Sequence, residues 1–123
     1  MLTQLEDRLV DFFTLMEDSI DYLPDYSMES VKYVELVLKQ LKDRIGDDKD
    51  IHKDAAFYIG ETIFRNHKSA SWEIFEDPNS PYHGMPCIKM DDKIFFPFNS
   101  VREFVKNPEI GFFFSDIKEV SQI

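Results

Sequence analysis

The side chains with which this chain could do chemistry are three histidines, one cysteine and a group of carboxylates around a turn-rich loop. His52, His67 and His83 stand fifteen and sixteen residues apart, so no two of them form a short-range metal-ligand pair. A metal site would have to be assembled by tertiary contacts, and none is expected. Glu73, Glu76 and Asp77 are carboxylates of the kind a hydrolase uses as general acid and base, a role that also needs opposed geometry and a shifted pKa. The chain has no glycine-rich phosphate loop and no nucleophile elbow. Cys87, between Pro86 and Ile88 in an apolar run, reads as a buried structural thiol rather than a nucleophile. As the single cysteine it leaves no internal disulfide, which suits a reducing compartment. No catalytic residue and no cofactor is assigned.

Two places could still hold a site. Glu61, in a strongly apolar segment, is a solvent-facing residue, an anchor for a loop, or a functional carboxylate. With Trp72, Glu73 and His83 it would line a pocket between the third helix and the loop 77–84. Within that loop, which carries two prolines and a glycine, Tyr82-His83-Gly84 is the best small cluster.

The elements that must position these residues follow from periodicity. Leu2, Leu5, Leu9, Phe12 or Phe13, Met16, Ile20 and Leu23 recur at three and four, predicting a first helix over about Gln4 to Tyr22 that stops before Pro24. Thr3 with Glu6 has capping-box spacing. Ser27 is the expected N-cap of a second helix carrying Val31, Val34, Leu38, Leu41 and Ile45, with Gly46 at its C′ position. Glu35 and Lys39, one turn apart, read as a solvated pair on that helix.

Asp47-Asp48-Lys49-Asp50 lacks the spacing, glycine and closing glutamate of a calcium loop, and Asp50 is the expected cap of a third helix running to about Arg65. That helix, with Ala55, Ala56, Phe57, Tyr58, Ile59, Ile63 and Phe64, should be central. Gly60 in its interior costs about 1 kcal/mol against alanine, which points to close approach of another backbone, the first helix or the sheet.

Period-two alternation then takes over. Trp72 and Ile74 alternate with Ser71, Glu73 and Phe75 in one strand. Cys87–Met90 and Lys93–Phe96 flank Asp91-Asp92 as a tight hairpin, and Pro97 ends the second arm or marks an edge. Ser100 with Glu103 suggests the cap of a short helix ending before Pro108. Gly111-Phe-Phe-Phe-Ser115 reads as a last strand or an aromatic plug, with helical spacing again at Ile117, Val120 and Ile123. Residues 1–123 are thus one α+β domain: three N-terminal helices on a small antiparallel sheet of about three to four strands, and a short helix near the C-terminus.

Charge bounds the partners. The net charge of −10 repels nucleic-acid phosphate and anionic lipid, so neither is an expected partner. Eight acids (Glu6, Asp7, Asp11, Glu17, Asp18, Asp21, Asp25, Glu29) against Arg8 alone place −7 of that in residues 1–30. No signal-peptide pattern or apolar span is present, which implies a cytoplasmic protein.

Asp25-Tyr-Ser-Met-Glu-Ser30, Ala55-Ala-Phe-Tyr-Ile-Gly-Glu61, Trp72 and Phe96-Pro-Phe98 together resemble small uncharacterised bacterial domains with a D-Y-S-x-E-S helix start, an A-x-Y-I-G-E helix and a tryptophan-bearing strand. The resemblance spans roughly residues 20–106; it implies a bacterial cytoplasmic setting and supplies no catalytic residue. By class the chain also resembles immunity proteins of polymorphic toxin systems. A binding protein is therefore the first expectation, with Asp7, Asp11, Asp18 and Asp21 of the first helix and Tyr82 and His83 of the loop meeting a basic protein partner. The alternative is a small hydrolase or ligand-binding enzyme using Glu61, Trp72, His83 and Glu73 in a pocket between the third helix and the loop 77–84. Oligomeric state is left open.

Overall fold

The three amphipathic stripes form packed helices in a computed structural model, which describes residues 2–45 and 48–121, with the backbone alone for 2–8, 44, 45, 114 and 118–121. The elements are α1 (Leu2–Ile20), α2 (Ser30–Ile45), α3 (Lys49–Asn66), β1 (Ala70–Ile74), β2 (Pro86–Met90), β3 (Lys93–Phe95), α4 (Pro97–Lys106) and α5 (Phe112–Ser121). The expected α+β class holds, with a three-stranded antiparallel sheet in the order β1-β2-β3 and two helices after it.

Helix α3 is the hub because its apolar residues do not keep to one stripe. Ala55, Ala56, Tyr58, Ile59, Gly60, Thr62 and Ile63 are all buried, which takes neighbours on several sides. α1 and α2 pack against one part of it, α4, β1 and β2 against another. Leu9, Phe12 and Met16 of α1 and Val31, Val34, Val37 and Leu38 of α2 join it in one core. The ring of Tyr58 is fully buried among Phe12, Phe13 and Tyr26, at centroid distances of 5.8, 5.8 and 5.2 Å. Left unbonded, its hydroxyl would cost about 1–3 kcal/mol. Ser30 Oγ at 2.7 Å and the Tyr26 amide at 3.0 Å satisfy it.

Several helix starts differ from expectation, each for a local reason. α1 begins at Leu2, which puts Thr3 inside the first turn instead of at its cap. Ser27 does not cap α2, because its hydroxyl and its amide both donate to Asp25 Oδ1, at 2.6 and 3.0 Å. α2 starts at Ser30, one turn later; Gly46 lies outside the described residues. Asp48, not Asp50, caps α3, accepting from the amides of Asp50 and Ile51. Asp50 then sits in the first turn, where the helix dipole favours its charge.

Pro97 opens α4 at a position where its missing N–H is no loss. Ser100 is consequently inside the helix, and its hydroxyl donates to Asp116 Oδ2 at 2.7 Å rather than capping. Gly111-Phe-Phe-Phe-Ser115 is not a strand: Gly111 has φ 100 and Phe112 starts α5, while Phe113 plugs the core against Phe104 at 4.8 Å. In the β2–β3 hairpin, Asp91 at φ 55 supplies the left-handed residue that a glycine commonly provides.

Candidate functional site

The acidic surface comes from the helical period of α1. With Leu9, Phe12 and Met16 turned into the core, Asp11, Glu17 and Asp18 are left in solvent. Asp21 extends the face just past the helix end; it is exposed, has φ 53, and its amide donates to the Glu17 carbonyl at 3.0 Å. The side chain of Asp7 lies outside the described residues. Among the described residues none of these carboxylates has an ion-pair partner. Val10 and Leu23, 63% and 65% exposed, add apolar contact area beside them.

The loop 77–84 is tied down rather than open. Phe75 and the 84–85 segment exchange backbone bonds of 2.8 and 2.9 Å across its base. His83 Nδ1 accepts from the Asp77 amide at 2.9 Å, which leaves the imidazole's other nitrogen as the donor in its neutral form. Asp77 Oδ1 accepts from the Asn79 amide at 3.1 Å. Tyr82 stacks on Phe96 at 4.7 Å, and Phe75 meets the same ring edge-on at 5.1 Å. The loop lies by the sheet, and α3 stands between the sheet and α1, so Tyr82 and His83 do not continue the acidic face.

Glu61 and Trp72 do come together. Trp72 Nε1 donates to Glu61 Oε1 at 3.1 Å, and Arg65 Nε donates to Oε2 at 3.1 Å. Arg65 in turn lies 3.7 Å above the Tyr26 ring, and Asn66 Nδ2 donates to the Tyr26 carbonyl at 2.8 Å. Tyr26, at φ 60, is a bulky residue in a backbone region it rarely adopts, and these contacts hold it there. The motifs Asp25–Ser30 and Ala55–Glu61 and the residue Trp72 therefore form one clasp joining the α1–α2 link, α3 and β1. Glu61 itself bonds to strand β1 and to its own helix, and reaches the α1–α2 link only through Arg65.

Close approach to Gly60 comes from a side chain, the Trp72 indole, rather than from a backbone. Glu73 leaves β1 on the opposite face from Trp72, where it accepts from Ser71 Oγ at 2.9 Å and pairs with Lys89 at 3.4 Å. Glu61 and Trp72 thus share one site, while Glu73, with Ser71 and Lys89, and His83, with Asp77, lie in other surroundings.

One expectation is overturned outright. Glu35 is not paired with Lys39 in solvent; it is 1% exposed, and its two oxygens accept from the amides of Gly111 at 2.9 Å and Phe113 at 2.7 Å. Those amides belong to the start of α5, so α2 caps α5 from outside. Burial pushes the Glu35 carboxyl above its ordinary range, against the pull of the amide bonds. A cavity of about 600 Å³ opens beside it, walled by Met28, Val31 and Ile110.

The other shifted groups have structural causes. Burial lifts Tyr22 to about 12 and raises Tyr58 and Cys87, while the Ser27 hydrogen bonds lower Asp25. Among the described residues no group of three or more His, Cys, Asp and Glu is placed to hold a metal ion. No helix among them is long and apolar enough to cross a membrane.

Comparison with known proteins adds the fold. No family model matches the chain, and no curated protein matches it. A crystal structure of a protein from Bacteroides thetaiotaomicron superposes with a TM-score of 0.73 at 12% identity. The match covers 96% of this chain and 44% of the Bacteroides chain, so this chain spans less than half of that protein's length. At that identity the likeness is one of fold alone.

Proposed function

We propose that this is a cytoplasmic binding protein whose acidic α1 face engages a basic protein partner, and that its specific role is to neutralise a toxin as an immunity protein. The observation that carries the reading is the exposure of Asp11, Glu17, Asp18 and Asp21 without ion-pair partners among the described residues, beside the exposed Val10 and Leu23. A patch of one sign speeds encounter with a surface of the other and selects among partners, while exposed apolar groups supply the contact that slows release. With Tyr82 and His83 on the sheet side of α3, the proposal rests on the α1 face. The competing hydrolase is less favoured because Trp72 and Glu73 leave β1 on opposite faces and Glu61 is committed to Trp72 and Arg65.

Affinity capture from the native host tests the reading, with the wild type and the Asp11→Lys/Asp18→Lys/Asp21→Lys variant as baits. A basic protein should be retained by the wild type and associate with the variant about tenfold more slowly or worse. Equal association rates would remove α1 from the interface. Expressing the captured partner alone should arrest growth, with rescue by this chain; a harmless partner would rule out the immunity role while leaving the binding role standing.

A further inference from the structure

A second surface has the opposite sign. A cavity of about 490 Å³ lies between the first turns of α3 and one side of α4. Its floor is apolar: Val101 is buried, Phe98 and Val105 half-buried. Its rim is cationic, with Lys49 and Lys53 exposed on the α3 wall and Arg102 and Lys106 exposed on the α4 wall. Each pair is four residues apart, one helical turn, so each helix sets its two cations side by side along its own axis at the groove. Lys42 of α2 reaches the same wall, donating to the Val105 carbonyl.

Among the described residues the cations have few acidic partners. Lys106 pairs with Glu103 at 3.4 Å, an exposed contact of the kind that contributes little, and Arg102 donates to the side chain of Asn99. Lys49 and Lys53 have no ion-pair partner among the described residues. Four of the chain's fourteen lysines and arginines thus gather at one groove of a protein whose net charge is −10.

We propose that this groove docks an acidic amphipathic helix from a partner protein. Such a helix lays an apolar stripe on Phe98, Val101 and Val105 and carries Glu or Asp one turn apart on each flank, matching the two pairs of cations. Charge spread along both walls fits a helix better than a compact anion, which would need donors converging on a point. The overall negative charge disfavours an extended polyanion such as a lipid surface, which would meet the rest of the molecule as well. The groove shares no residue with the α1 face, so variants of the two can be tested independently.

The probe is a synthetic helical peptide with a leucine and phenylalanine stripe flanked by glutamates, beside a scrambled peptide of identical composition, both followed by fluorescence anisotropy. The designed peptide should bind saturably, more weakly as salt rises. The Lys53→Glu/Arg102→Glu variant, altered only at exposed positions, should keep the wild-type urea midpoint and lose about tenfold or more in affinity, about 1.4 kcal/mol. Asp11→Lys/Asp18→Lys should not weaken this binding. Absence of saturable binding, or equal binding of the scrambled peptide, overturns the proposal. So does saturation of the groove by dodecanoate or by phosphatidylglycerol vesicles when the peptide does not bind. Salt-dependent self-association of the free protein that the groove variant abolishes would assign the groove to a second copy and also overturn it.

Discussion

The Trp72 indole lies on Gly60 so closely that a Cβ added there would stand 2.2 Å from Cη2 and 2.5 Å from Cζ2. Its position is fixed from the other side by the 3.1 Å bond from Nε1 to Glu61, one residue along the same helix. The ring cannot move off a new methyl group without giving up that bond.

Gly60→Ala should therefore destabilise the protein although alanine is the better helix former. The propensity gain is about 1 kcal/mol, whereas forcing a methyl into a filled space costs about 1–3 kcal/mol plus the displaced Trp72 bond. A net loss of about 1–2 kcal/mol is expected in urea denaturation. In a Trp72→Ala background the same change should become neutral or stabilising, a coupling of about 1 kcal/mol or more. A Gly60→Ala protein that is more stable than wild type would contradict the packing.

Glu61 should separate by substitution into two contributions. Glu61→Gln keeps an acceptor for Trp72 and loses the ion pair to Arg65, which is 51% exposed, so the loss should stay under about 1 kcal/mol. Glu61→Ala also strands the half-buried indole N–H and should cost about 1–3 kcal/mol. Trp72 is the chain's single tryptophan and reports directly. Its emission should move for Glu61→Ala and hold for Glu61→Gln.

Periodicity made the element order readable, since the stripes of α1, α2 and α3, the period-two strand and the Asp91-Asp92 hairpin each rest on contacts close in sequence. What escaped was set by contacts far apart. Glu35 looks like half of a surface pair with Lys39, yet it falls among Val31, Val34 and Leu38 in the buried stripe, a warning that was present in the sequence. Its partners are 76 and 78 residues away, and no local rule names them. Ser27 and Ser100 have the right type for caps, but Asp25 and Asp116 take their hydroxyls. The groove cations show the same limit, because Lys49 and Lys53 pair visibly at four residues and so do Arg102 and Lys106, but only the fold sets the two pairs face to face.

Glu35→Ala removes the acceptor for two amides at the start of α5 and should cost about 2–4 kcal/mol, with hydrogen exchange rising first in α5. Glu35→Gln should cost less. Its penalty should depend on pH with a definite sign. Burial raises the folded carboxyl above its ordinary value of 4.5, so the stability tied to the protonated form is fully present below 4.5 and is lost as pH rises through the folded value. Glutamine resembles that protonated form and does not titrate. The wild-type advantage over Glu35→Gln should therefore shrink as pH rises from 4.5, in paired urea titrations. An advantage that grows with pH would mean that the amide bonds outweigh burial.

Cys87 is opposite Glu73 in the β1–β2 ladder and fully buried, and burial followed by the Glu73 charge pushes its thiol above the ordinary value of 9.0. Both exclusion from solvent and scarcity of thiolate work against reaction. Labelling by a thiol-disulfide reagent at pH 8 should be about a thousandfold or more slower in the native protein than in urea, with its rate set by opening of the sheet. Gly60→Ala perturbs Trp72, which sits on the same strand one residue from Glu73. If it lowers the opening free energy by about 1.4 kcal/mol, labelling should accelerate about tenfold in the regime where closing outruns reaction. Rapid labelling of the wild type would place Cys87 in a site open to solvent, and a rate unmoved by Gly60→Ala would detach the Trp72 clasp from the stability of the sheet.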